Sequence, residues 1–167
     1  MKRRVLALGL SACLALTVRG RPLVLWNATA SVPIGLYGLS PPSRLEAGDL
    51  VVVRPDPALA TVLAKGGWAP PGVPLLKPIA ARSGQVVCRT GPLVTIDHRP
   101  VARALAADVR GLRLPRWSGC HRLRAGEVLL LAPAPGSLDG RYFGPTETRW
   151  ILARARPIWT PAPEPRS

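Results

Sequence analysis

The sequence predicts a mainly β domain standing behind one N-terminal membrane-anchoring helix. Three observations carry this. With 20 Pro and 16 Gly in 167 residues, the chain is punctuated too often for long helices. Between these breakers stand short aliphatic and β-branched runs of strand length. The chain also opens on a basic cluster followed by one unbroken apolar stretch. A hydrophobic content of 47% excludes a disordered chain, and the length suits one domain with a real core.

The anchor comes first in order. Met1-Lys2-Arg3-Arg4 precedes 14 apolar or small residues, Val5 to Val18, then Arg19-Gly20-Arg21-Pro22 and a second apolar stretch, Leu23 to Trp26. Fourteen residues fall short of the roughly 20 that a full span needs and suit a signal-type segment. An A-x-A pattern, Ala28-Thr29-Ala30, offers a cleavage site, but it lies well past the apolar run, beyond Arg19 and Arg21. The expectation is an uncleaved signal-anchor over residues 1–26. Arg19 would then reach the far interface, and Leu23–Trp26 would lie among the headgroups. Lys2, Arg3 and Arg4 would hold the N-terminus in the cytoplasm, with the domain over residues 27–160 facing the periplasm.

Within that domain, Leu50–Arg54 (L-V-V-V-R) follows a Gly48-Asp49 turn and reads as a strand. Pro57–Lys65 reads as a helix, with Asp56 as N-cap, Pro57 at its first position and Gly66 past its end. Pro74–Ala81 is an apolar run interrupted by Lys77. Val86–Arg89 and Leu93–Ile96 form a hairpin around Thr90-Gly91-Pro92, and Glu127–Leu131 and Trp150–Arg154 are further strands. Residues 103–124 are polar and turn-rich and read as an inserted loop or small lobe. Residues 161–167 read as a disordered tail.

The net charge of +14, with only nine acidic residues, would favour an anionic surface; the excess is mostly arginine, which high genomic GC alone also produces. No nucleic-acid motif accompanies it. No cysteine pair has metal-ligand spacing, and neither metal nor organic cofactor is implied. Cys13 lies in the apolar run. Cys88 and Cys120 leave two readings open: a disulfide if the domain is exported, or two buried free thiols.

Three segments look over-specified for folding: Asn27 to Tyr37 (N-A-T-A-S-V-P-I-G-L-Y), Pro74 to Ala81 (P-L-L-K-P-I-A-A) and Gly136 to Pro145 (G-S-L-D-G-R-Y-F-G-P). Lys77 sits among Leu75, Leu76 and Ile79. Burial would lower its pKa and leave a neutral amine fit to act as general base. Ser31 is a hydroxyl that needs such a base. His98 and His121 have no serine motif beside them.

Together the three segments resemble the signal peptidases of peptidase family S26, most closely the TraF-type conjugative-transfer peptidases. Those show N-x-T-x-S-x-P-x-G-L-Y after an anchor, then P-L-L-K-R-V-A-A, and near the end S-F-D-S-R-Y-F-G-P. The match runs from Asn27 to Pro157 and includes Leu114-Pro115 and Trp117-Ser118-Gly119-Cys120. The resemblance implies a signal-peptidase-like β fold with Ser31 as nucleophile and Lys77 as general base. Thr29 would lend its hydroxyl to the oxyanion hole, Ser137 would orient the Lys77 amine, and Asp139 and Arg141 would pair beside the site. It implies a membrane-bound serine endopeptidase acting on a pilin-type or other exported precursor peptide, in contact with inner-membrane lipid and with no nucleic acid. Trimming and cyclisation of the pilin are both open. The alternatives are a general signal peptidase and a non-catalytic, membrane-tethered basic component of a secretion apparatus. Pro78, Leu138 and Gly140 depart from the pattern, which has Arg, Phe and Ser there. Pro78 lacks a backbone donor, which fits a strand unpaired at that point, as at an edge or a substrate cleft.

Overall fold

The computed structural model describes residues 17–18 and 21–161. Of the anchor expected over residues 1–26, residues 1–16 and 19–20 lie outside the described residues, as do residues 162–167 of the expected tail. Among the described residues no helix is long and apolar enough to cross a membrane. β1 (Thr17–Val18) pairs antiparallel with β2 (Arg21–Pro22). β3 (Val24–Asn27) is already a strand of the main sheet, with Leu25 and Asn27 buried and Val24 and Trp26 half-buried. The domain therefore begins within the stretch assigned to the headgroups, because V-L-W-N alternates with the period of a strand.

Seven antiparallel strands form the main sheet. After β3 they are β4 (Gly35–Ser40), β5 (Leu50–Val53), β6 (Leu75–Arg82), β11 (Glu127–Leu130), β12 (Thr146–Glu147) and β13 (Ile151–Trp159), in the order β12–β11–β6–β5–β13–β4–β3. β13 outruns the expected Trp150–Arg154 because it serves two neighbours, β5 along Ile151–Ala155 and β4 along Arg154–Trp159. Pro157 falls where only β4 flanks it. Consecutive buried residues Val51, Val52 and Val53 show that the sheet is covered on both faces. One face packs Leu25, Val32, Tyr37, Leu76 and Ala132. The other packs Ile79, Val128, Leu130 and Ile151.

β6 is internal, so of the two settings expected for Pro78 the edge is excluded, while the strand is unpaired with β11 at that point. Pro78 opposes Leu50 of β5. On its other side its carbonyl accepts from Leu131 N, just past the last β11 residue, and the β6–β11 register shifts between Leu129 and Leu130. The missing N–H thus falls where the ladder ends.

The second sheet holds β7 (Val86–Thr90), β8 (Leu93–Ile96), β9 (Arg99–Arg103) and β10 (Gly119–Arg122), in the order β10–β7–β8–β9. This lobe, inserted between β6 and β11, begins at Val86, so the 86–96 hairpin belongs to it and the expected span 103–124 was too short. The outer strands (R-P-V-A-R and G-C-H-R) are mostly exposed and carry no apolar alternation, which hid them from a reading of periodicity. Asp97 and His98, both at positive φ (48° and 67°), make the two-residue turn between β8 and β9. Val87, Val94, Ile96 and Leu123 pack onto Ala81 and Leu129 of the main sheet. Cys88 and Cys120, opposite each other on β7 and β10 with Cα atoms 4.0 Å apart, are joined by a disulfide. Helix α1 spans Pro57–Lys65, capped by Asp56, whose carboxylate accepts from Ala58 N and Leu59 N.

Candidate active site

The Ser31 loop joins β3 to β4. Its frame is Asn27, 7% exposed and paired with Gly35 across the hairpin base. The Asn27 amide nitrogen donates to the carbonyls of Thr29 (2.8 Å), Val32 (3.2 Å) and Pro33 (3.0 Å). Its amide oxygen accepts from Thr29 N (3.1 Å) and Thr29 Oγ1 (2.8 Å). The buried Tyr37 hydroxyl donates to Pro33 O at 2.5 Å. Gly35 is obligatory at the exit: its φ is +151° and a Cβ would lie 2.2 Å from Trp159 O. The motif's first residue therefore wires the loop together, a role the sequence alone did not assign.

Val32 fixes the loop to the sheet, since it packs in the cluster that contains Leu76 and Ala132. Leu76 precedes Lys77, and Ala132 binds the Asp139–Arg141 pair. Ser31 is half-buried, with its Oγ 3.4 Å from Thr29 Oγ1. The single Thr29 hydroxyl hydrogen goes to Asn27, so Ser31 is the donor in that contact. Among the described residues the Ser31 backbone N–H donates to nothing.

Lys77 lies on β6 opposite Val51 and is 5% exposed. Its Nζ donates to Ser137 Oγ at 2.7 Å. Burial pushes its pKa down from 10.5 to about 8; the Asp139 carboxylate pulls it up and the Arg141 guanidinium pushes it down. At neutral pH a usable fraction of the amine is therefore free of its proton.

The resemblance implies that Asp139 and Arg141 pair beside the site, and it leaves their local structure open. They lie at the start of a single helical turn, α2 (Gly140–Phe143), with Asp139 as its N-cap. Capping suits an Asp in extended conformation whose carboxylate takes Arg141 N at 3.1 Å. The Arg141 side chain returns two bonds to that carboxylate, at 2.8 and 3.1 Å, and reaches Pro135 O and Ala132 O. Ala132 N donates to Asp139 at 2.8 Å. Both side chains are almost fully buried, and each polar atom is satisfied. Gly140 packs so closely that a Cβ would lie 2.7 Å from Leu130 O.

The structure thus brings Lys77, Ser137, Asp139 and Arg141 into one buried network, and Ser31 and Thr29 into one loop fixed on the same sheet. It does not join the two by a Ser31–Lys77 hydrogen bond. Lys77 and Asp139 also line a cavity of about 270 Å³, walled by α1 and by Leu75, Phe143 and Trp150. The histidines lie elsewhere: His98 in its turn, and His121 bonded to Glu127 at 2.7 Å.

The sequence signature described as signal peptidase, peptidase S26, matches residues 1–160. The chain is 35% identical over 147 residues to a probable conjugal transfer protein TraF of Sinorhizobium fredii, covering 82% of this chain and 77% of that one. It is 33% identical over 145 residues to a plasmid transfer protein TraF of Escherichia coli, covering 80% and 81%. A crystal structure of signal peptidase I from Enterococcus faecalis aligns with 67% of this chain and 97% of its own, at 14% identity and a TM-score of 0.39.

Proposed function

This chain belongs to the signal peptidases of peptidase family S26, and we propose that it is a membrane-bound serine endopeptidase that processes a pilin precursor for conjugative type IV secretion. The observation that carries the reading is the buried Lys77, its pKa near 8 and its amine held by Ser137, on the strand whose Leu76 shares a packed cluster with Val32 of the Ser31 loop. The TraF names of its relatives supply the conjugative setting.

In the proposed reaction Ser31 turns its hydroxyl from Thr29 to neutral Lys77. Catalytic hydrogen bonds commonly close only when substrate is bound. Lys77 takes the proton as Ser31 Oγ attacks the scissile carbonyl. The oxyanion is met by the unengaged Ser31 N–H, and by Thr29 once its hydroxyl releases Asn27. The Lys77 ammonium then protonates the leaving amine, and an acyl ester remains on Ser31. Water resolves it to an acid. An amine of the same substrate would instead form an amide and close a ring, with no water consumed. Lys77 accepts the proton of either nucleophile and returns it to Ser31 Oγ as the ester bond breaks.

Membrane attachment rests on Lys2-Arg3-Arg4 and the apolar run that follows. An apolar patch at the N-terminal edge of the sheet adds to it: Ile34, Ile158 and Trp159 are exposed, and Trp159 stacks on Trp26 with ring centroids 6.0 Å apart. The periplasmic side is favoured by the Cys88–Cys120 disulfide.

The test is co-expression with the pilin precursor encoded in the same transfer region, followed by weighing the pilin. Wild type should trim it, with a further loss of one water if the product is cyclic. Trimming by Ser31→Ala at the wild-type rate would refute the assignment.

A further inference from the structure

Arg89 lies on β7 in the lobe, and it is 3% exposed. Among the described residues it has no carboxylate partner. Its guanidinium donates instead to three carbonyls: Arg141 O at 2.6 Å, Gly91 O at 3.2 Å and Pro115 O at 3.4 Å. It also stands 5.9 Å from the centroid of the Tyr142 ring. Burial lowers its pKa, so holding this cation here has a cost. A second lobe residue does the same job without charge. Trp117 Nε1 donates to Gly140 O at 2.9 Å. A third bond runs from Leu105 N to the Tyr142 hydroxyl at 3.0 Å. Three consecutive residues of α2 are thus gripped from the lobe.

We propose that Arg89 is a positioning residue for the peptidase site: with Trp117, it holds the α2 backbone so that Arg141 and Asp139 stay fixed beside Lys77. The inference rests on Lys77 being the base. It also gives the lobe a task, and the Cys88–Cys120 disulfide, one residue from Arg89, a reason to stiffen it.

The consequence has a sign. The charged and titratable groups facing Lys77 are Asp139 and Arg141 from the α2 segment, and Arg54, Asp56 and Tyr142 on the walls of the cavity that Lys77 lines. The Asp139 carboxylate and the Arg141 guanidinium are both tied to Ala132 and to each other, so they move as a pair. Loosening the α2 backbone admits water to the Lys77 ammonium. Relief of burial, the largest cause of its depression, raises the pKa of Lys77.

The sequence has three lysines, so the full chain in detergent, labelled with ¹³Cε-lysine, gives a simple titration by NMR. Lys77→Arg assigns the signal. Arg89→Met and Trp117→Phe should each move the Lys77 midpoint upward, by about one pH unit for Arg89→Met, and leave Lys65 in place. Arg89→Lys should restore part of the shift. A shift in Arg89→Met alone would mean a charge effect at a distance and would overturn the positioning role. Unmoved midpoints in both folded variants would overturn it too. If Arg89→Met does not fold, the neutral Trp117→Phe decides alone. A wild-type Lys77 that titrates near 10.5 would instead sink the choice of base, which the same spectra report separately.

Discussion

Lys77, the base in the proposed reaction, also carries a stability cost. Its displacement from 10.5 to about 8 corresponds to roughly 3 kcal/mol, at about 1.4 kcal/mol per pH unit. The group is a base whose folded pKa is depressed, so between pH 8 and 10.5 the unfolded chain binds more protons than the folded one. Its contribution is therefore unfavourable below about pH 8 and fades as pH rises toward 10.5. Lys77→Met should stabilise the protein at pH 7 by up to about 3 kcal/mol, read from urea unfolding, while removing activity. Ser137→Ala takes away the acceptor that aims the amine and should lower kcat roughly ten- to a hundredfold with KM unchanged. Of these residues, Lys77 was legible because an isolated lysine in an aliphatic run is chemically odd. Asn27 and Arg89 were not. One looks like an ordinary turn residue and the other like one arginine among many, and only their carbonyl partners reveal them.

At the scale of elements, α2 is a single turn held from both sides. Arg141→Met would leave the Asp139 carboxylate buried without its counter-ion and should cost about 3–5 kcal/mol. Asp139→Asn together with Arg141→Met should cost less than that single change, because no lone charge remains; thermal unfolding of the single and double variants checks this. Loss of the α1 cap is the ordinary comparison, with Asp56→Ala expected to cost about 1 kcal/mol. Elements with strong local signals were readable. α1 has its Asp-Pro start and Gly stop, β5 its valine run, and β8 its turns. The short β12 and the exposed β9 and β10 are strands because of their neighbours, and no local pattern announces them. Asp139 and Arg141 pair across a capped turn, and no local pattern in the sequence marks that turn.

In the whole molecule, the seven-stranded sheet carries the candidate site and a disulfide-tied lobe grips its α2 turn. The Cys88–Cys120 link closes a separation of 32 residues, so reduction should lower stability by roughly 3–4 kcal/mol, measured by urea unfolding with and without reductant. The mainly β class and the lobe's existence could be read from breakers and insert composition. The lobe's true start at Val86 could not, because the hairpin that opens it looks like any hairpin of the main sheet. The central claim is that Ser31 and Lys77 work as one catalytic pair. The most direct measurement is the pH dependence of kcat/KM for precursor cleavage by the purified full chain, beside Ser31→Ala and Lys77→Ala. The pair predicts a wild-type rate that rises with pH and levels above about 8, and a loss of at least about a thousandfold in each folded variant. Cleavage by either variant at the wild-type rate, or a flat wild-type profile between pH 6 and 9, would contradict it.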